Sequence, residues 1–260
     1  MRLLATALFV LGAGTTANAQ QTATPVSKGE YLARAGDCIA CHSVRGGKAF
    51  AGGLRMGTPM GAIYSTNITP DPDTGIGNYS LQDFDRALRL GVAKDGHHLY
   101  PAMPYPSYAK ISEDDLQALY TFFMKEVPPV KQVNKENEIP WYLSWRWPLA
   151  IWNLLFAPTR AYVAQQGHDA TWNRGAYLVE GLGHCGACHT PRGWAFQEKA
   201  YDDGSGAYLQ GAELDAWSAP NLRGDLRTGL GGWSQDDIAA IPEERPQRQR
   251  HGLRLHARRC

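Results

Sequence analysis

Methionine is scarce in this chain of 260 residues: there are five, and none follows Met124. Cysteine is equally scarce, with Cys38, Cys41, Cys185, Cys188 and Cys260. No apolar run is long enough to span a bilayer. Leu3 to Leu11 is too short, and Trp141 to Pro158 carries Arg146 and Pro148 in its first half. No strong excess of one charge exists either; the formal net charge is +1, and no nucleic-acid partner is expected. Nothing resembles a nucleophile with its base. Gly181-x-Gly183-x-x-Gly186 fits a dinucleotide fingerprint by letters alone and overlaps a second motif. Asp71, Asp73 and Gly75 resemble part of a calcium loop, but Ile76 stands where its turn glycine belongs and Gln82 where its bidentate Glu belongs. That stretch reads as a turn.

What is present begins with a leader. Arg2 is its basic start, Leu3 to Leu11 its apolar run, and Ala17-Asn18-Ala19 a small-residue cleavage site. Residues 1–19 are therefore expected to direct export, with the mature chain starting near Gln20. An exported chain invites a disulfide reading, but the cysteine spacing argues otherwise. Cys38-x-x-Cys41-His42 and Cys185-x-x-Cys188-His189 are two copies of the attachment pattern of a c-type haem. They lie 147 residues apart. A zinc ribbon would set its pairs closer, and a thioredoxin-like motif does not require the histidine.

The chain also repeats itself. KGEYLARAGDCIACH (Lys28 to His42) parallels RGAYLVEGLGHCGACH (Arg174 to His189), and TGIGNYSLQDF (Thr74 to Phe84) parallels TGLGGWSQDDI (Thr228 to Ile238). Repeated text implies repeated units. The expected fold is all-α: two cytochrome c-like haem domains in tandem, at 26–127 and 168–240, the second incomplete. A short helix leads into Cys38, and another starts near Ser80. A last one starts at Ser112, where Ser112-x-x-Asp115 has the form of a capping box. Its Leu116, Leu119, Tyr120 and Phe123 share one helical face.

Residues 128–167 read as a linker with a Trp-rich helix. Glu126 to Pro140 is polar and bears prolines. Trp141 to Pro158 holds four of the eight tryptophans. It serves either as a connector packed between domains or as a docking surface for a partner or the membrane interface.

In each motif the cysteines would form thioethers to the haem and the histidine would bind iron. A methionine on the opposite face would raise the potential and close the site, which suits electron transfer. For the first haem the candidates are Met56, Met60, Met103 and Met124. Met103 is favoured because it lies in the proline-rich loop Tyr100 to Tyr108, which can present it opposite His42. Met56 and Met60 follow His42 too closely, and Met124 reads as packing. His97 and His98 read as solvated loop histidines.

The combination CIACHS, STNITPDPDTGIGNYS, LYPAMPYPSY and RGAYLVEGLGHCGACHTPRG resembles the cytochrome c subunits of membrane-bound alcohol and gluconate dehydrogenases, over about residues 26–240. That family typically has three haem c domains. The resemblance implies an electron-transfer subunit with no substrate chemistry of its own, serving an oxidoreductase of CH–OH donors. It implies a quinoprotein or flavoprotein dehydrogenase subunit as donor and ubiquinone or a terminal oxidase as acceptor. It further implies a periplasmic location, attached to the inner membrane. Here it implies two covalently bound haem c: Cys38, Cys41, His42 and Met103 for one, Cys185, Cys188 and His189 for the other. A free two-haem carrier and, less well supported, a haem peroxidase are the competing readings.

After Ala240 the likeness stops. The family continues with text like FLKNGRN…GSM, whose methionine ligates the second haem; this chain reads IPEERPQRQRHGLRLHARRC. Six arginines against two glutamates give 241–260 a charge of +4 and leave −3 for the rest. One synonymous coding of this tail, shifted by a base, restores family-like text with a methionine at position 256. The tail is therefore expected to be out of frame. As written, His251, His256 or water would face His189.

Overall fold

The computed structural model describes residues 25–214 and 217–240. The leader and the tail with His251 and His256 lie outside the described residues.

Helix α1 (Lys28–Ala35) starts at Ser27, whose hydroxyl accepts the Glu30 amide. One turn, α2 (Cys38–Cys41), follows. The chain then doubles back as a hairpin of β1 (Arg55–Thr58) and β2 (Gly61–Tyr64). Helix α3 (Leu81–Leu90) opens with a reciprocal box between Ser80 and Asp83. After α4 (Tyr105–Tyr108) comes α5 (Glu113–Lys125), capped by Ser112. A 3-10 turn at Trp141–Leu143 and α6 (Pro148–Phe156) form the connector. The second half contains α7 (Ala170–Tyr177), a π-helical turn (Leu178–Leu182) and α8 (Gly186–His189). It continues with β3 (Ala212–Leu214) paired to β4 (Trp217–Ala219), then α9 (Gln235–Ala240).

The all-α expectation needs correction: the fold is helix-dominated with two small antiparallel hairpins. Their cause is local. The Gly52 amide donates to the His42 carbonyl and the Gly53 amide to the Ser65 carbonyl, so the loop is pinned at both ends and must return on itself. A short ladder then pairs its backbone groups.

Residues 127–138 are also more than a linker. They lie as a strap over the loop after β2. The Asn67 side chain donates to the carbonyls of Val130 at 2.7 Å and Gln132 at 3.4 Å. Its backbone amide donates to Asn134 at 2.6 Å. Glu138 closes the strap on Arg55 at 2.7 Å.

The core sits between α1, α3 and α5. Leu32, Phe84, Ile111, Leu116, Leu119, Phe122 and Phe123 are buried together, and Leu182 from the second half joins them. Burying each such side chain contributes about 1.5–3 kcal/mol. Helix α1 meets α5 at Gly29, where an added Cβ would lie 2.3 Å from the Ala118 carbonyl oxygen. Only glycine permits that approach.

The two halves touch through a polar seam. Lys110 donates to Glu180 at 2.5 Å and to the Tyr201 carbonyl at 2.7 Å. Burial raises the Glu180 carboxyl above its usual range, and Lys110 opposes that rise. Nearby, Tyr177 donates to Asp115 at 2.7 Å and accepts the Ser112 amide at 3.2 Å.

Candidate functional site

The first motif follows a sharp turn. Asp37 has φ 53°, and so the chain swings from α1 into α2. Before the second motif, His184 has φ 38° in the equivalent place. Asp and His are among the few non-glycine residues that tolerate this region. Each turn then places its cysteines three residues apart on one helical turn, with amides of His42 and His189 returning to the carbonyls of Cys38 and Cys185.

Both histidines are held alike. His42 Nδ1 lies 2.7 Å from the Thr66 carbonyl, and His189 Nδ1 lies 2.8 Å from the Pro220 carbonyl. A carbonyl only accepts, so Nδ1 carries the proton and Nε2 the lone pair. That is the tautomer a metal-binding imidazole needs, with its outer nitrogen oriented by a backbone oxygen. Burial lowers the affinity of His42 for a second proton, which keeps it neutral.

The likeness continues along both loops. Ser43 accepts the Phe50 amide and Thr190 the Leu209 amide. Phe50 and Leu209 share a left-handed backbone, at φ 61° and 57°. Asn67 donates to Thr74 at 3.1 Å, and Asn221 to Thr228 at 3.0 Å. Asp71 accepts from Thr74, and Asp225 from Thr228, through amide and hydroxyl alike. These carboxylates organise turns, and their hydrogen bonds hold both below the usual carboxylate range. Ser234 and Asp237 then repeat the reciprocal box of Ser80 and Asp83.

Among the described residues, no group of three or more His, Cys, Asp or Glu side chains could hold a metal ion. Cys38, Cys41, Cys185 and Cys188 are each half-buried. Haem c fits the donors of both motifs: two thiols for its vinyl groups and one neutral imidazole for its iron. Beside the second motif, Glu198 Oε2 and the Tyr208 hydroxyl are buried without a hydrogen-bond partner. Both crowd Gly186, where an added Cβ would lie 2.6 Å from Glu198 Oε2 and 3.0 Å from the Tyr208 ring. Buried polar atoms of this kind fit a polar edge of a bound group.

Met103 is half-buried against the core cluster, as is Cys38. Met124 also packs there, while Met60 is exposed and Met56 lies in β1 opposite Ile63. His97 is exposed and bonded to Asp95. His98 faces Asn153. The connector braces the Met103 loop. Arg146 stacks 3.7 Å over the Tyr100 ring and donates to the His98 carbonyl. Asn153 accepts from Tyr105 at 2.6 Å. This bracing was invisible in the sequence, because the run of tryptophans drew attention from Arg146 and Asn153. The tryptophans themselves divide. Trp152 is half-buried and donates to the Ala195 carbonyl, whereas Trp141, Trp145 and Trp147 are exposed.

Fold and motifs together define a c-type cytochrome, and the Cytochrome c family matches residues 26–126. The gluconate 2-dehydrogenase cytochrome c subunit of Pantoea cypripedii is 59% identical over 240 residues, covering 91% of this chain and 54% of that one. The alcohol dehydrogenase (quinone) cytochrome c subunit of Gluconacetobacter polyoxogenes is 55% identical over 216 residues, covering 82% of this chain and 46% of that one. The chain thus spans about half the length of these relatives. A diheme cytochrome c-type protein of Cereibacter sphaeroides is 33% identical over 254 residues, covering 90% of this chain and 85% of that one. The chain belongs to the c-type cytochromes, and over most of its length it is similar to cytochrome c subunits of gluconate and quinone alcohol dehydrogenases.

Proposed function

We propose that this chain carries two haem c groups in two cytochrome c units, the second incomplete, and serves as the electron-transfer subunit of a membrane-bound dehydrogenase. The carrying observation is the repeated histidine clamp, His42 on Thr66 and His189 on Pro220. In this reading Cys38, Cys41, His42 and Met103 hold the first group; Cys185, Cys188 and His189 hold the second. When bound, each haem would supply a one-electron iron centre. The imidazoles of His42 and His189 would each bind iron, and the core between α1 and α5 would shield the first group from water. The donor is a quinoprotein or flavoprotein subunit oxidising an alcohol or sugar acid. The acceptor is ubiquinone or the respiratory chain on the periplasmic side.

Among the described residues no helix is long and apolar enough to cross a membrane. Trp141, Trp145, Trp147 and Leu154 are exposed, and tryptophans of this kind suit a membrane interface. A free two-haem carrier is the second reading, favoured by the 33% identity to the diheme Cereibacter protein across 85% of its length.

Haem content per chain tests the proposal. Two are expected for the parent. Replacing Cys38 and Cys41 by serine, or Cys185 and Cys188, should each remove one. A parent with one haem, indifferent to changes at Cys185 and Cys188, would sink the two-haem reading. Co-purification with a large dehydrogenase subunit separates the subunit from the free carrier.

A further inference from the structure

One buried side chain touches the approach to both motifs. The Tyr108 hydroxyl donates to the Gly36 carbonyl at 2.9 Å, two residues before Cys38. The Tyr108 ring meets the His184 ring edge to face at 5.7 Å between centroids, one residue before Cys185. Tyr108 and His184 are both buried, at 6% and 8% exposure, so water is excluded from this contact.

We propose that Tyr108 is the bridge along which an electron passes between the two sites; this rests on the reading that both motifs carry haem c. Electronic coupling decays slowly along covalent bonds, somewhat faster across a hydrogen bond, and fastest across a gap. From Cys38 the route is covalent to Gly36 and crosses one hydrogen bond into Tyr108. It then crosses one ring contact to His184, which is bonded directly to Cys185. In the step, a ferrous haem is oxidised to ferric while its ferric neighbour is reduced to ferrous. One electron moves, no bond forms or breaks, and Tyr108 keeps its proton.

A second contact in the same seam provides the control. Leu182 Cδ2 lies 3.3 Å from where a Cβ on Gly36 would stand, and Cys38 Sγ lies 3.5 Å from that point. Leu182 is saturated and joined to Gly36 by packing alone.

The test uses the full haem-loaded chain. Haem content is counted first; a count of one overturns the two-haem reading and the bridge with it. With two haems present, pulsed photoreduction is followed by recording how fast the electron equilibrates between them, and both midpoint potentials are measured. Tyr108→Leu should slow equilibration on the order of tenfold, the equivalent of about 1.4 kcal/mol in a barrier, with both potentials unchanged. Tyr108→Phe keeps the ring and loses the hydroxyl; it should fall between the parent and the leucine variant, and it carries the test if that variant fails to fold. Leu182→Ala should change the rate less than either. A Tyr108→Leu or Tyr108→Phe chain that equilibrates at the parent rate, with two haems retained, overturns the bridge alone. So does a Leu182→Ala chain slowed as much as Tyr108→Leu, or a slowing fully explained by shifted potentials.

Discussion

The two halves of the molecule share one hydrogen-bond plan and differ in what covers it. Asn67 is 2% exposed beneath the strap, whereas its counterpart Asn221 is only half-buried. Phe84 is in the core, and its counterpart Ile238 is 43% exposed. Gly29 is pressed against α5, but nothing among the described residues comes within 4 Å of a Cβ at Gly175. The plan is therefore written locally, in Asx turns, capping boxes and left-handed residues. It stands whether or not a helix and strap lie over it. Burial is a separate contribution, made by α5 and residues 127–138 in the first half.

The largest way to break this comparison is at iron. On the proposed ligand set, Met103→Ala should strip the first haem of its methionine and lower its potential. Redox titration checks this; two unchanged potentials would remove Met103 from the ligand set. Next comes the seam. Lys110→Met leaves Glu180 buried without its cation, which costs about 3–5 kcal/mol. The double variant Lys110→Met, Glu180→Leu should recover most of that loss in thermal unfolding.

A pH profile sharpens the second half. Burial raises the Glu198 carboxyl to about 7, although Arg192 and Lys110 oppose the rise. Arg192 stands 3.9 Å from it, and Tyr208 and Tyr201 are its other titratable neighbours. Between about pH 4.5 and 7 the folded chain holds a proton that the unfolded chain has released. Stability is thus full below about pH 4.5 and falls through this window, by about 3 kcal/mol if the whole shift is expressed. Glu198→Gln should flatten the fall; a profile unchanged by it would place the titration elsewhere. The smallest effect compares the asparagines. Asn67→Ala loses several buried hydrogen bonds and should cost about 2–3 kcal/mol, against about 0.5–1.5 kcal/mol for Asn221→Ala. Equal losses in denaturant titration would mean the strap adds nothing.

Much of this was legible in the sequence because it is local. The C-x-x-C-H motifs, the helix start near Ser80 and the Asp71 turn each depend on residues a few positions apart. At Ser112 the local signal was half right. Ser112 does cap α5, but Asp115 turns its carboxylate to Lys28 at 2.7 Å and to Tyr177, and the Ser112 amide bonds Tyr177 instead. A residue 65 positions away had taken over one side of the box. The same holds for the strap, for the bracing of the Met103 loop and for Tyr108. Each joins distant segments through polar side chains that carry no periodic pattern. The hairpins escaped for another reason: their strands span only three or four residues, too short to show alternation.

The π-helical turn at Leu178–Leu182 has one more consequence. Lys28 and Cys38 are ten residues apart, and their counterparts Arg174 and Cys185 are eleven apart; the π turn absorbs the added residue. The matching faces then have opposite fates. Tyr31 and Arg34 look into solvent, while Tyr177 and Glu180 are buried against the first half. A duplicated unit that met its copy through an unaltered face could accept a third copy in the same way, and a fourth, as a head-to-tail contact that never closes does. One inserted residue gives the second unit a surface the first does not own, so the duplicated faces are no longer interchangeable.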